Sequence, residues 1–244
     1  MKIFKRILLG LLIVLAVLVL GFVIWALNPL EPTPEALAAL ESDSKVTVTQ
    51  GDGYVSFMPT GTTPTKAFVF YPGGRVDYRA YAAPLRQLAE QGYLAILLPV
   101  RLNLAFFDVN AADRAIPDFP EIQEWVVGGH SLGGVAASMY AAKQDDIDGV
   151  VYWASYPADD SLQNSEMKFT SIYGTLDMGG MESFESSASI LPAETQFVVI
   201  DGGNHSQFGN YGLQPGDNPA TITWQEQQAE AVAATARLLE SLSK

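Results

Sequence analysis

Six short runs rich in Val, Ile and aromatic residues, at 66–71, 93–99, 125–128, 149–154, 169–173 and 196–200, recur along this chain, each bounded by Gly or Pro. Helical patterns separate them at 78–91, from about 111, and at 132–143, 181–189 and 224–242. A strand buried on both faces reads as a continuous apolar run, and a crossover to the next parallel strand takes a helix. The alternation therefore predicts an α/β fold with a mostly parallel, doubly wound sheet and right-handed crossovers. Ahead of it, residues 45–49 and 54–58 alternate polar and apolar across Gly51-Asp52-Gly53, the pattern of an antiparallel hairpin. Only about a dozen residues separate the runs ending near 154 and starting near 169, which leaves room for little or no lid there. With 244 residues, 48% of them hydrophobic, the chain can bury one substantial core, so residues 45–244 are expected to be a single domain.

Residues 7–27 form an uninterrupted uncharged run of 21 residues. As a helix rising 1.5 Å per residue it covers a hydrocarbon core of about 30 Å, so it can span a membrane. Lys2, Lys5 and Arg6 precede it, Trp25 lies near its far end, and the next charges, Glu31 and Glu35, are acidic. The positive-inside rule then puts a basic tail, residues 1–6, in the cytoplasm and the body outside it, as a single-pass membrane protein. The competing expectation is a cleaved signal peptide and a secreted body, because Ala36-Leu37-Ala38 has the small-x-small form of a cleavage site. That site lies far behind the apolar run, which favours an uncleaved anchor. Three prolines between Asn28 and Pro34 read as a stiff spacer, and residues 28–44 link anchor to body.

The net charge is -13, and setting aside the three basic residues of the tail leaves the rest of the chain at -16. Such a body repels phosphate backbones, so nucleic acid is excluded as a partner. There is no cysteine, which removes disulfides, thiolate metal sites and a cysteine nucleophile together. His130 and His205 are the two histidines, too few to build a metal site without carboxylates, and no metal or cofactor is expected.

Gly129-His130-Ser131-Leu132-Gly133 has the spacing G-x-S-x-G. Composition alone would produce it in roughly one chain in ten, so context decides its weight. A strand pattern precedes it and a helix pattern follows, the setting in which a sharp turn strains the serine backbone and exposes its hydroxyl. Ser131 is the expected nucleophile. A serine hydroxyl needs a base, and His130 is held on the turn itself, which leaves His205, in a loop directly after the last strand. The base needs a carboxylate to fix its tautomer, and Asp177, just past the 169–173 strand, gives the order Ser, Asp, His. Asp159 and Asp160, after the preceding strand, are the alternatives, read as solvated loop charges. Two backbone N–H groups should face the developing oxyanion. Leu132 supplies one; Gly73, Gly74 or Arg75 in the loop after the 66–71 strand supplies the other, with Gly74 the first choice because Pro72 has no N–H.

Together, Pro72-Gly73-Gly74, the turn at 129–133, Gly174-Thr175-Leu176-Asp177 and Gly203-Asn204-His205 resemble the α/β-hydrolase superfamily, in particular its small dienelactone-hydrolase-like and esterase-like bacterial members. The resemblance runs from about Val46 to the C-terminus. It departs from dienelactone hydrolases proper in having Ser131 where they use cysteine, so their substrate does not carry over. It implies hydrolysis of carboxylic esters, sometimes thioesters or amides, on a small-molecule or lipid-like ester. Two other outcomes share the residues: an acyltransferase with an acceptor other than water, and a non-catalytic envelope binding module.

Overall fold

The computed structural model describes residues 2–243, with side chains from residue 4. Met1 and Lys244, the outermost residues of the expected tail and domain, lie outside the described residues, as does the side chain of Lys2. The first helix, α1 (Lys2–Ala26), contains a 23-residue segment, Phe4–Ala26, long and apolar enough to cross a membrane or to serve as a signal sequence. Its side chains stand clear of the body until Phe22, whose ring meets that of Phe107, and Ala26 in the last turn is fully buried.

The next stretch, expected as a spacer, is laid on the body. Leu30 donates its N–H to the Arg75 carbonyl at 2.7 Å and accepts from the Asp77 N–H at 3.0 Å. Thr33 caps a short helix, α2 (Pro34–Ala38), whose Ala36 is completely buried. Proline at the first helical position and a threonine cap are the usual way to start so short a helix.

Eight strands form one sheet: β1 (Val46–Gly51), β2 (Tyr54–Pro59), β3 (Lys66–Tyr71), β4 (Leu94–Leu97), β5 (Glu124–His130), β6 (Gly149–Trp153), β7 (Lys168–Gly174) and β8 (Gln196–Ile200). Their order across the sheet is β1-β2-β4-β3-β5-β6-β7-β8. β1 and β2 form the expected hairpin, turning at Asp52-Gly53 with Gly53 at φ 93°, a conformation glycine adopts without strain. β2 joins β4 antiparallel, and every pairing from β4 through β8 is parallel.

The two faces are covered by different helices, as a doubly wound sheet requires. α3 (Ala82–Ala89) and α6 (Trp224–Ser241) pack with Phe68, Phe70, Val126, Val151 and Trp153 on one face. α4 (Leu132–Ala141) covers the other, over Val69, Tyr71, Val127 and Val150. A fifth helix, α5 (Met181–Ser187), presses Phe184 flat on Tyr173, ring centroids 4.5 Å apart. The helix expected from about Ala111 takes a tighter form: four 3₁₀ turns between Arg101 and Asp118, with Ala111, Ala112 and Ala115 buried against α4. Pro117, and the kinks at Leu102 and Asn110, break the run before an α-helix can propagate.

Candidate active site

β3 has β4 on one side and β5 on the other, so the connections leaving β3 and β5 diverge to opposite faces and open a crevice at their C-terminal ends. β3 delivers Tyr71-Pro72-Gly73-Gly74-Arg75 to that crevice and β5 delivers Ser131.

Ser131 has φ 52° and ψ -123°, strained for any residue with a Cβ. It is held there by donating its N–H to the Trp153 carbonyl at 3.0 Å and by the Ser155 hydroxyl, which donates to its carbonyl at 2.6 Å. The glycines of the motif are steric requirements: a Cβ on Gly129 would strike the Gly133 backbone, and one on Gly133 would strike the Tyr71 carbonyl. Five described non-glycine residues have positive φ: Arg75, Leu102, Asn103, Ser131 and Ala154. All lie on loops leaving the C-terminal ends of β3, β4, β5 and β6. Each such residue costs about 1–3 kcal/mol, so the fold concentrates its backbone strain at this one edge.

The loops after β7 and β8 meet because Gly174 has no side chain; a Cβ there would enter the Gly203 backbone. This brings His205 Nδ1 to 3.0 Å from Asp177 Oδ2 and 3.2 Å from Oδ1, with both side chains buried. Asp177 Oδ1 also accepts the Gly179 N–H at 2.9 Å. An ionised carboxylate only accepts, so the imidazole carries its proton on Nδ1 and Nε2 is left as the basic nitrogen. Ser131, His205 and Asp177 all line one cavity of about 260 Å³, whose apolar wall includes Val135, Met178 and Phe184. Asp159 and Asp160 are exposed, and Asp159 Oδ1 accepts the Ser161 N–H at 3.0 Å; neither carboxylate reaches this cavity. A larger groove of about 610 Å³ lies by the hairpin turn, where Arg114 donates to Asp108 at 2.9 Å, and none of Ser131, His205 and Asp177 lines it.

Of the three candidates for the second amide, two are occupied. The Gly73 N–H donates to the Tyr81 hydroxyl at 3.1 Å, and the Arg75 N–H donates to the Asn103 carbonyl at 2.8 Å. Gly74 N–H, like that of Leu132 at the start of α4, has no acceptor among the described residues. The two residues are neighbours: a Cβ on Gly74 would lie 3.1 Å from Leu132 Cδ2.

Four supporting residues were not singled out from the sequence. Buried Asp217 accepts from the N–H groups of Met178 (3.2 Å), His205 (3.4 Å) and Ser206 (2.8 Å), tying the Asp177 loop to the His205 loop. Gln227, in α6, clasps the Asn204 backbone from both sides, accepting its N–H at 2.9 Å and donating to its carbonyl at 2.7 Å. Tyr81 and Ser155 brace the glycine loop and the serine turn. His130 is fully buried, its ring centroid 4.5 Å from that of His205. Burial, and then the neighbouring His205, hold its pKa well below the usual histidine value, so it is neutral. Burial likewise keeps the Tyr81 hydroxyl protonated, and since that hydroxyl accepts from Gly73 it donates to His130 Nδ1, 2.8 Å away.

No curated protein sequence matches the chain. Among solved structures, a dienelactone hydrolase from Anabaena variabilis superposes with a TM-score of 0.62 at 18% identity, over 80% of this chain and 99% of that one. A thermostable esterase from Pseudomonas putida gives a TM-score of 0.62 at 14% identity, over 86% and 88% of the two chains. Est1E from Butyrivibrio proteoclasticus, solved with ferulic acid bound, gives 0.59 at 12%, over 83% and 99%. At these identities the likeness is one of fold. The profile of the alpha/beta hydrolase family matches residues 67–229, two thirds of the sequence, and spans both diverging loops, the serine turn and the His205 loop. The chain belongs to the alpha/beta hydrolase family.

Proposed function

We propose that the protein is a serine carboxylic ester hydrolase working through an acyl-enzyme, held in a membrane by α1. The observation that carries this reading is the His205–Asp177 pair on the wall of the same cavity as the strained Ser131, a cavity also lined by Leu132, whose spare amide neighbours Gly74. Family membership supports it, as do the esterases among the structural neighbours. Ser131 Oγ attacks the ester carbonyl while His205 Nε2 takes its proton. The new imidazolium keeps its Nδ1–H on Asp177, and the oxyanion is received by the N–H groups of Leu132 and Gly74. Collapse expels the alcohol, protonated from Nε2. Water, deprotonated by the same nitrogen, then releases the acid and restores Ser131.

A fluorophosphonate probe should label the full-length protein, and Ser131→Ala should abolish both labelling and ester turnover, a loss on the order of a million-fold for a triad nucleophile. Substantial turnover by Ser131→Ala would reject the assignment.

The proposed organisation is a basic tail at 1–6, a membrane anchor at 7–27, a linker at 28–44 and the hydrolase domain at 45–244, outside the cytoplasm. Retention of the anchor is supported by contacts that cleavage after Ala38 would remove: the two Leu30 bonds to the glycine loop, the Thr33 N–H to the Asn210 carbonyl at 2.8 Å, and buried Ala36. The protein should fractionate with membranes and resist salt extraction, since apolar insertion is not screened by ions. A soluble species beginning at Ala39 would overturn the anchor.

A further inference from the structure

The end of α1 is built into the loop that carries Gly74. Arg75 Nε donates to the Trp25 carbonyl at 2.9 Å, and its NH2 group to the Asn28 carbonyl at 2.6 Å, while its guanidinium carbon sits 4.4 Å from the Trp25 ring centre. Asn103 Nδ2 donates to the Ala26 carbonyl at 3.0 Å. The last carbonyls of a helix lack partners within it, and here the hydrolase body supplies them. Further back along the helix, Phe22 packs edge-to-face on Phe107, ring centroids 6.0 Å apart. Phe22 lies four residues before the end of α1, about 6 Å inside it. Phe106 and Phe107 are about half exposed, on the loop beside the glycine loop, where a soluble surface would leave them facing water.

A second cavity, about 370 Å³, occupies the junction. Trp25 and Leu30 line it from the anchor side, Leu104 and Leu132 from the body, and Gly74 forms part of its wall. Leu132 also lines the Ser131 cavity, so the two spaces meet at this residue, and its amide is one of the two proposed oxyanion donors.

We infer that the catalytic mouth is held against the bilayer, and that the substrate is a membrane-resident ester whose apolar chain enters from the lipid through the Trp25–Leu30–Leu104–Leu132 cavity. This rests on the proposed hydrolase chemistry and on α1 spanning. If Phe4–Ala26 crosses a hydrocarbon core of about 30 Å, Phe22 lies within the lipid, and Phe107, touching it, reaches the same depth. The Gly74 loop, hydrogen-bonded to the last turn of the span, then sits at the interface. The body's strong negative charge opposes binding to anionic headgroups, which assigns the contact to apolar insertion and the ligand to an uncharged ester.

The chain has no cysteine, so a single one can be labelled cleanly. Full-length Phe107→Cys and Lys143→Cys, the latter exposed beyond the far end of α4, would each carry an NBD fluorophore in phosphatidylcholine vesicles. At residue 107 we expect a blue-shifted emission and quenching by nitroxide-labelled lipid at least fivefold stronger than at residue 143. Equal, water-like emission at both positions would overturn the membrane contact. In the same vesicles, wild-type protein should cleave a long-chain glyceride ester embedded with it at least tenfold faster than the same ester in separate vesicles. Equal rates would overturn the lipid route. A short water-soluble ester distinguishes the two levels of the argument. If it is cleaved while both membrane measurements fail, only this inference falls; if no ester is cleaved and the probe does not label, the hydrolase reading falls.

Discussion

The Tyr81 hydroxyl joins two buried groups, accepting from the Gly73 N–H and donating to His130 Nδ1, with no solvent to replace it. Tyr81→Phe keeps the ring, packed 4.9 Å from Phe70, and deletes only this junction. Leaving a buried donor or acceptor unpaired costs about 1–3 kcal/mol, which sets an upper limit of about 6 kcal/mol for the two. The loss should be smaller, because Gly73 borders the ring of His130: a Cβ on Gly73 would lie 2.7 Å from Nδ1. A modest shift of the glycine loop would let its amide find that nitrogen. We expect a destabilisation of about 2–4 kcal/mol, and a fall in Tm of roughly 5–15 °C for a domain of this size. The same shift would displace Gly74, so kcat should fall more than KM rises. Urea unfolding of the full chain in mild detergent gives the first quantity and ester kinetics the second. Ser171→Ala is the contrast: its buried hydroxyl has no partner among the described residues, so its removal should be neutral or stabilise by up to about 1 kcal/mol. A loss below about 0.5 kcal/mol in Tyr81→Phe, or a comparable loss in Ser171→Ala, would refute the reasoning.

Asp177→Asn should lower kcat by up to about four orders of magnitude by favouring the wrong imidazole tautomer, while Asp159→Asn and Asp160→Asn change it less than about threefold; side-by-side kinetics would reassign the acid if either exposed residue mattered more. Asp217→Asn should slow turnover about 10- to 100-fold through misplacement of the two loops it ties, with the fluorophosphonate still reacting slowly, and an unchanged kcat would deny it a positioning role. Stability should depend on pH through His130. Its folded pKa is depressed, so below about pH 6.5 the unfolded chain takes up a proton that the folded one refuses. Stability is then full above that value and falls on acidification by up to about 1.4 kcal/mol per pH unit; equal urea midpoints at pH 7, 6 and 5 would contradict the buried neutral ring.

The strands were legible for two local reasons: β3 to β7, buried on both faces, are apolar through nearly their whole length, and the hairpin strands β1 and β2 alternate polar and apolar residues. The serine turn was legible for a similar reason, since its glycines answer to contacts within one strand-turn-helix unit. The 3₁₀ turns between Arg101 and Asp118 were not, because an apolar run with one proline fits a helix equally well until packing on α4 decides. Nor did anything local mark Asp217, Gln227 or Tyr81. Asp217 is one acidic loop residue among 27 Asp and Glu, and its three amide partners come from two loops that only the β7–β8 pairing brings together. The linker at 28–44 read as a spacer because its pairing partner, Val76, is distant in sequence.

The clasp of Gln227 on Asn204 has a consequence for how the protein is made. A chain emerges from the ribosome N-terminus first, so α1 and the serine turn are out before α6 exists. Until residue 227 has followed, the loop bearing His205 lacks the two bonds by which Gln227 holds the Asn204 backbone. On the proposed reading, a nascent chain inserted through α1 would have its nucleophile, Ser131, already synthesised while its base, His205, was not yet seated. Under that reading the site would stay chemically silent until α6 docks, and a chain stalled before that point would remain so.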